Sequence, residues 1–169
     1  SRAIVSHTDT VALLEISAVC NNAQVQFRDE LDSGAIGSSN KKLYSGSATE
    51  KALLKYCIDM GLEQRRSEYE KLSEIPFSSD RKFMSVQCRD IKNPEGVNIH
   101  FIKGAVEEVL EKCTNILTSG KSQALTENLT SVIYKSVEAL AGQGLRVLAM
   151  ARGDQPTNLE FVGVVALYD

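Results

Sequence analysis

Two runs, residues 83–91 and 97–103, alternate apolar and polar side chains, with Val97, Ile99 and Phe101 on one side of the second. Asn93-Pro94-Glu95-Gly96 lies between them. A period of two sends one face of each run to a core and the other to solvent, and a Pro- and Gly-bearing turn folds the second run back on the first. The hairpin commits the chain to an antiparallel sheet with a face that must be covered. Apolar residues predict covering helices in four places, at mixed spacing in the first and at helical spacing in the other three. These are residues 10–20 (Val11, Leu14, Ile16, Val19), 48–60 (Ala52, Leu53, Tyr56, Cys57, Met60), 106–117 (Val106, Val109, Leu110, Cys113, Leu117) and 126–141 (Leu129, Val132, Ile133, Val137, Leu140). Ser47 or Thr49 suits the start of the second helix and Gly61 its end, while Thr126-Glu127 suits the start of the fourth. Apolar runs at 145–151 and 159–167 predict two closing strands. Hairpin-joined strands with helices grouped between them predict an α+β fold, an antiparallel β-sheet flanked by α-helices, rather than a doubly wound parallel sheet.

The 169 residues suit a single domain over 1–169, with a polar loop at 27–42 that holds Gly34, Gly37, Ser38, Ser39 and Asn40. The mixed charges of residues 63–71 predict a solvated face. A net charge of −3 argues against a nucleic-acid partner, so any polyanion held here must meet a local cluster of cations. No apolar run approaches the roughly 18 residues that cross a bilayer, and residues 1–10 carry no apolar stretch of the kind a signal peptide needs. Cys20, Cys57, Cys88 and Cys113 form no Cys-x-x-Cys pair; three fall on predicted helices and Cys88 on a predicted strand, which predicts buried free thiols in a reducing compartment. His7 and His100 are too few for a zinc site with such cysteines, and no metal ligands are assigned.

Some motifs fail on their own terms. Gly120-Lys121-Ser122 lacks the phosphate-loop glycine five residues earlier, where Asn115 stands, and follows a predicted helix where that loop follows a strand. It reads as a surface turn. Asn128-Leu129-Thr130 matches a glycosylation acceptor but lies within a predicted helix. No serine occupies a nucleophile elbow, and no Cys/His pairing suggests covalent catalysis, so no catalytic residue is assigned.

Other segments carry the pieces of a nucleotide site. Phe77 follows Pro76 at a strand edge, where a ring can meet a planar base, and Lys82 comes five residues later. Lys103 precedes Gly104-Ala105 and a predicted helix; a bare glycine leaves room for a flat ligand, and a helix N-terminus favours an anion. Arg146 offers a permanently charged fork to phosphate oxygens, and Glu50 an acceptor to the exocyclic amine of adenine. Each alone has a plainer reading: a core Phe, a solvated Lys, a turn Gly.

Taken in order, Thr49-Glu50, Phe77-Ser78-Ser79-Asp80-Arg81-Lys82, Lys103-Gly104-Ala105 and Gly144-Leu145-Arg146 resemble the nucleotide-binding domain of P-type ATPases. Cys20-Asn21-Asn22 and the closing residues 161–169 are similar to further family segments, so the resemblance spans nearly the whole chain. Ile75-Pro76-Phe77-Ser78-Ser79 looks most like the secretory-pathway calcium pumps. The resemblance implies ATP as ligand, with Mg2+ in the full-length pump. Phe77 would stack on adenine, Glu50 would meet its edge, and Thr49 would help hold the Glu50 loop. Lys82 would lie beside the nucleotide and Lys103 would line the inner pocket, with Gly104 and Ala105 under the base and Arg146 toward the phosphates. Lys103 is thereby expected to matter more for ATP than for adenosine. The implied partners are the phosphorylation and actuator domains of the parent pump, on the cytosolic face of a Golgi or secretory-pathway membrane. The implied oligomeric state is a monomer, without membrane contact. The family's Asp-Lys-Thr-Gly-Thr motif does not occur in the chain, so the chain is expected to hold ATP without cleaving it. A different reading is an interaction module of the same fold that has lost ATP; another is the equivalent domain of a pump for a different cation.

Overall fold

The computed structural model describes residues 3–6, 9–28 and 41–168. In chain order the elements are β1 (Ala3–Ser6), α1 (Thr10–Val19), β2 (Gln24–Arg28), β3 (Lys41–Ser45), α2 (Ala48–Asp59), a 3-10 turn (Glu63–Glu68), β4 (Tyr69–Ile75), β5 (Phe83–Asp90), β6 (Ile99–Gly104), α3 (Val106–Glu111), β7 (Cys113–Thr118), β8 (Lys121–Ala124), α4 (Glu127–Gly142), β9 (Arg146–Gly153) and β10 (Leu159–Leu167). An eight-stranded sheet runs β4-β5-β6-β9-β10-β7-β8, with β1 also on β10. Every pairing is antiparallel except β10 with β7. One side of β10 thus serves two partners: Leu159–Phe161 against β7, and Val164–Leu167 against β1. The fold is α+β with a mostly antiparallel sheet.

Alternation along the strands splits the core in two. Met84, Val86, Phe101, Met150, Val162 and Val165 face α1 through Leu13 and Ile16. Ile102, Ala149, Ala151, Phe161 and Val164 face α3 and α4 through Val106, Val109, Leu129 and Ile133. Burying each large apolar side chain of this kind stabilises the fold by roughly 1.5–3 kcal/mol. Helix α1 is buried on nearly every side, because α2 lies behind it through Leu14, Ala18 and Cys57. Two cap predictions hold. Ser47 accepts from the Glu50 N–H at 3.2 Å, and Thr126 from the Leu129 N–H at 3.2 Å. Gly61 follows α2 with φ +74, where a side chain would be strained.

Several expectations need correction. The helix expected over 106–117 ends at Glu111, and the next residues form β7. The apolar stripe persists to Cys113 and Leu117, but the Lys112 carbonyl is taken by the Leu159 N–H at 2.8 Å and Cys113 pairs with Leu159. A distant strand outcompetes continuation of the local helix. Cys113 is therefore on a strand, and Gly120-Lys121-Ser122 follows a strand rather than a helix. The exposed turn itself is Ser119-Gly120, at φ 49 and φ 77, and Lys121 and Ser122 already belong to β8. The charged stretch 63–71 keeps the solvated character expected of it, with no buried residue in its 3-10 turn; that turn leads into β4, where Tyr69 packs edge-on to Phe101 with ring centroids 5.3 Å apart. The ends of the 27–42 loop belong to β2 and β3, which pair as a hairpin; residues 29–40 lie outside those described. Val97 does not share the inward face expected of it; it precedes β6 and is 71% exposed.

Burial raises all four thiols above their ordinary value of 9.0: Cys20, Cys57 and Cys113 to about 12 and Cys88 to about 11. The thiol form is favoured in the fold, so thiolate at pH 8 should be scarcer by about a hundredfold for Cys88 and a thousandfold for the other three. We expect a chromogenic disulfide reagent at pH 8 to leave the native chain essentially unreacted and to titrate four thiols in denaturant. Rapid reaction of any one thiol in the native chain would contradict this.

Candidate functional site

The sequence-predicted residues converge at one end of the sheet, where β6 stops and α2 begins. Lys103 pairs across strands with Met84 and Met150, which points its side chain to the face covered by α1 and α2. It is only 5% exposed. Its ammonium donates to Glu50 Oε1 at 2.8 Å and to the Cys20 carbonyl. Glu50, in the first turn of α2, has a side chain 16% exposed. The pair is thus largely withdrawn from water, where a lone charge would be costly and a paired one is tolerated. One turn's edge away, Arg146 Nη1 donates to Thr49 Oγ1 at 2.8 Å. The first turn of α2 is therefore tied to β6 by one residue and to the start of β9 by its neighbour.

Phe77 lies past the end of β4 and is 59% exposed. The segment that carries it is braced from within: Arg81 N–H donates to Ser78 Oγ at 3.0 Å, Lys82 N–H to the Ser78 carbonyl at 2.7 Å, and the Arg81 guanidinium to the Pro76 carbonyl. Arg81 is thus turned to the backbone and to the Phe83 ring, 5.9 Å from its centroid. Lys82 is left-handed, with φ 61, a strained conformation for a residue with a side chain. That conformation lays its carbonyl over the end of β6, where it accepts the Ala105 N–H at 2.9 Å.

This crossing adds a constraint at Gly104. A Cβ there would stand 2.4 Å from the Lys82 carbonyl and 2.7 Å from Phe83 Cα. The space a side chain would take at Gly104 is filled by the chain itself, and the bare glycine lets the Phe77–Lys82 segment dock on β6. The helix that follows, α3, is six residues long, and the N–H of its cap Ala105 donates to the Lys82 carbonyl. Lys82 and Arg146 are both exposed at this end of the sheet.

Sequence reasoning marked Cys20-Asn21-Asn22 as a family-like segment without giving it a role, and it missed the partners Arg66, Lys71 and Glu74. Asn21 is 2% exposed; its amide donates to the Ser17 carbonyl at 3.0 Å and the Glu50 carbonyl at 2.9 Å, and its oxygen accepts from the Ala23 N–H at 2.8 Å. Arg66 donates to the Asn21 carbonyl at 3.0 Å. Asn22 points the other way, donating to Glu74 Oε2 at 3.0 Å and accepting from Lys71 at 2.9 Å. Burial works to raise the Glu74 carboxyl, but the hydrogen bonds from Lys71 and Asn22 outweigh it and hold the group below its usual range. The signals in the sequence were that resemblance and the place of the two asparagines just past a predicted helix end. A cleft of about 390 Å³ between β3 and α2, lined by Lys42, Tyr44, Lys51 and Lys55, lies apart from this surface.

Over residues 9–169 the chain matches the family model of the P-type ATPase cytoplasmic domain N. The chain belongs to this P-type ATPase domain family. This N domain is 32% identical over 157 residues to the human calcium-transporting ATPase type 2C member 1, covering 93% of the chain and 16% of the relative. It is 33% identical over 164 residues to human calcium-transporting ATPase type 2C member 2, covering 97% and 16%. With the mouse type 2C member 2 the identity is 33% over 172 residues, covering 100% of the chain and 17% of the relative. The chain thus spans about a sixth of the length of the curated relatives it matches. Among the described residues, no helix is long and apolar enough to cross a membrane.

Proposed function

We propose that this N domain binds ATP for a P-type calcium-transporting pump. The observation that carries the reading is Phe77: a large apolar ring, 59% exposed, on a segment braced through Pro76, Ser78 and Arg81, in a chain of this family. An exposed ring on a braced segment is suited to a purine face, and its exposure is hard to explain as packing. Glu50, oriented by Lys103, accepts from the adenine amine. Lys82 and Arg146 flank the phosphates, while Thr49 steadies Arg146. Gly104 and Ala105 let the Phe77 segment sit where the base needs it. Lys103 acts on the nucleotide through Glu50.

Stacking of one base contributes about 1–3 kcal/mol. Exposed cations add about 1 kcal/mol or less each after screening, so association losses leave a dissociation constant on the order of 0.1–10 mM. Mg2+ in the complete pump neutralises charge on the phosphates. The terminal phosphate is positioned for an Asp in a separate phosphorylation domain, and phosphoryl transfer depends chiefly on such positioning. The N domain contributes no nucleophile, so alone it holds ATP intact. Its remaining partners are the phosphorylation and actuator domains, on the cytosolic side of a secretory-pathway or Golgi membrane.

A titration followed by amide NMR decides the matter. ATP and AMP should both shift the Phe77, Lys103 and Gly104 signals at millimolar concentration, with ATP also shifting Arg146. A silent spectrum at millimolar ATP, or saturation at nanomolar ATP, would reject the reading.

A further inference from the structure

Three consecutive residues, Cys20, Asn21 and Asn22, each reach a different wall of the candidate site. The Cys20 carbonyl accepts from Lys103 on β6. The Asn21 amide donates to the Glu50 carbonyl in α2. The Asn22 side chain sits between Lys71 and Glu74 on β4, the strand that leads into Phe77. The three walls are joined otherwise by the Lys103–Glu50 pair and the strand ladder β4-β5-β6. No other run of three residues described above ties all of them.

We propose that Cys20-Asn21-Asn22 is a positioning segment that sets the distance between the Glu50 carboxylate and the Phe77 ring, with Asn21 as its central positioning residue. The inference rests on the ATP-binding reading given above. Asn21 suits the role because its side chain is fully used: two donors go to carbonyls on α1 and α2, and the acceptor closes the turn at Ala23. A buried amide with every group satisfied admits one orientation, and so fixes the two helices relative to each other. The segment itself touches no ligand. Its effect on affinity comes through the groups it holds.

Asn21→Asp isolates the donor function. The carboxylate can still accept from the Ala23 N–H, but it cannot donate to the Ser17 and Glu50 carbonyls. Asn22→Ala removes the exposed β4 link and should leave the fold intact. The test has two readouts, taken well below the melting transition of each variant: ligand-free amide shifts of Glu50 and Phe77, and dissociation constants for ATP. We expect Asn21→Asp to shift the Glu50 and Lys51 amides and to weaken ATP about tenfold or more. Asn22→Ala should shift the Ile75 and Phe77 amides and weaken ATP about threefold, with its melting temperature nearly unchanged. Asn21→Ser, which keeps a short donor and acceptor, should recover part of the loss. Folded variants that bind ATP as tightly as the unaltered chain would overturn the positioning role alone. If Asn21→Asp does not fold, unchanged shifts and affinity in Asn22→Ala overturn it. An unaltered chain that fails to bind ATP would overturn both this inference and the reading beneath it.

Discussion

Lys103→Ala should destabilise the N domain by about 3–5 kcal/mol in urea unfolding, the usual cost of removing one member of a buried ion pair. The loss has two sources. Glu50 keeps a carboxylate whose side chain is 16% exposed without its counter-charge, and the Cys20 carbonyl loses its donor. Replacing both charged residues, as Lys103→Met with Glu50→Leu, should restore much of that loss, because paired charges often exchange for apolar groups at little net cost. Recovery should stop short of complete, since an orphaned buried carbonyl costs about 1–3 kcal/mol. If the single variant unfolds at the same urea concentration as the unaltered chain, the pair is not buried as described. For the folded fraction of Lys103→Ala, ATP and adenosine should weaken by similar factors. That differs from the sequence-based expectation of a larger loss for ATP, and the reason is geometric: the ammonium is already committed to Glu50 and Cys20.

Phe77→Ala is the converse case, large for the ligand and small for the fold. Removing a ring that stacks on one base should weaken ATP about 5- to 150-fold, the equivalent of about 1–3 kcal/mol. Stability should change by about 0.5 kcal/mol or less, because the ring is 59% exposed and lends little to the core. Phe77→Trp should preserve binding. It would also introduce the only tryptophan of the chain, whose fluorescence ATP should quench. A Phe77→Ala protein that melts early, or that binds ATP undiminished, would count against the ring as a base platform.

How far these residues were legible in the sequence depended on the range of the interactions that place them. The β5–β6 hairpin, the caps of α2 and α4 and the apolar stripe of α4 are local, so periodicity and turn chemistry reveal them. Strand β7 was hidden because Val106, Val109, Leu110, Cys113 and Leu117 keep helical spacing past the residue where the helix ends. What ends it is Leu159, which no local pattern announces. Strand β4 was hidden because it is an edge of the sheet, and its polar Glu70, Lys71, Ser73 and Glu74 read as a solvated run. At the site, residue types were readable but their partners were not. Lys103 looks like a phosphate lysine until its bond to Cys20, eighty-three positions away, is seen. Nor does the sequence show that Gly104 must also clear the Lys82 carbonyl.

The withdrawal of the Lys103–Glu50 pair from water has one further effect. Mobile ions screen exposed charges over a Debye length of about 10 Å at 0.1 M ionic strength, and reach buried pairs far less. Added electrolyte therefore weakens whatever attraction Lys82 and Arg146 exert on an anion at the rim. It leaves α2 fastened to β6. The site divides into a dry frame indifferent to ionic conditions and a wet margin that answers to them.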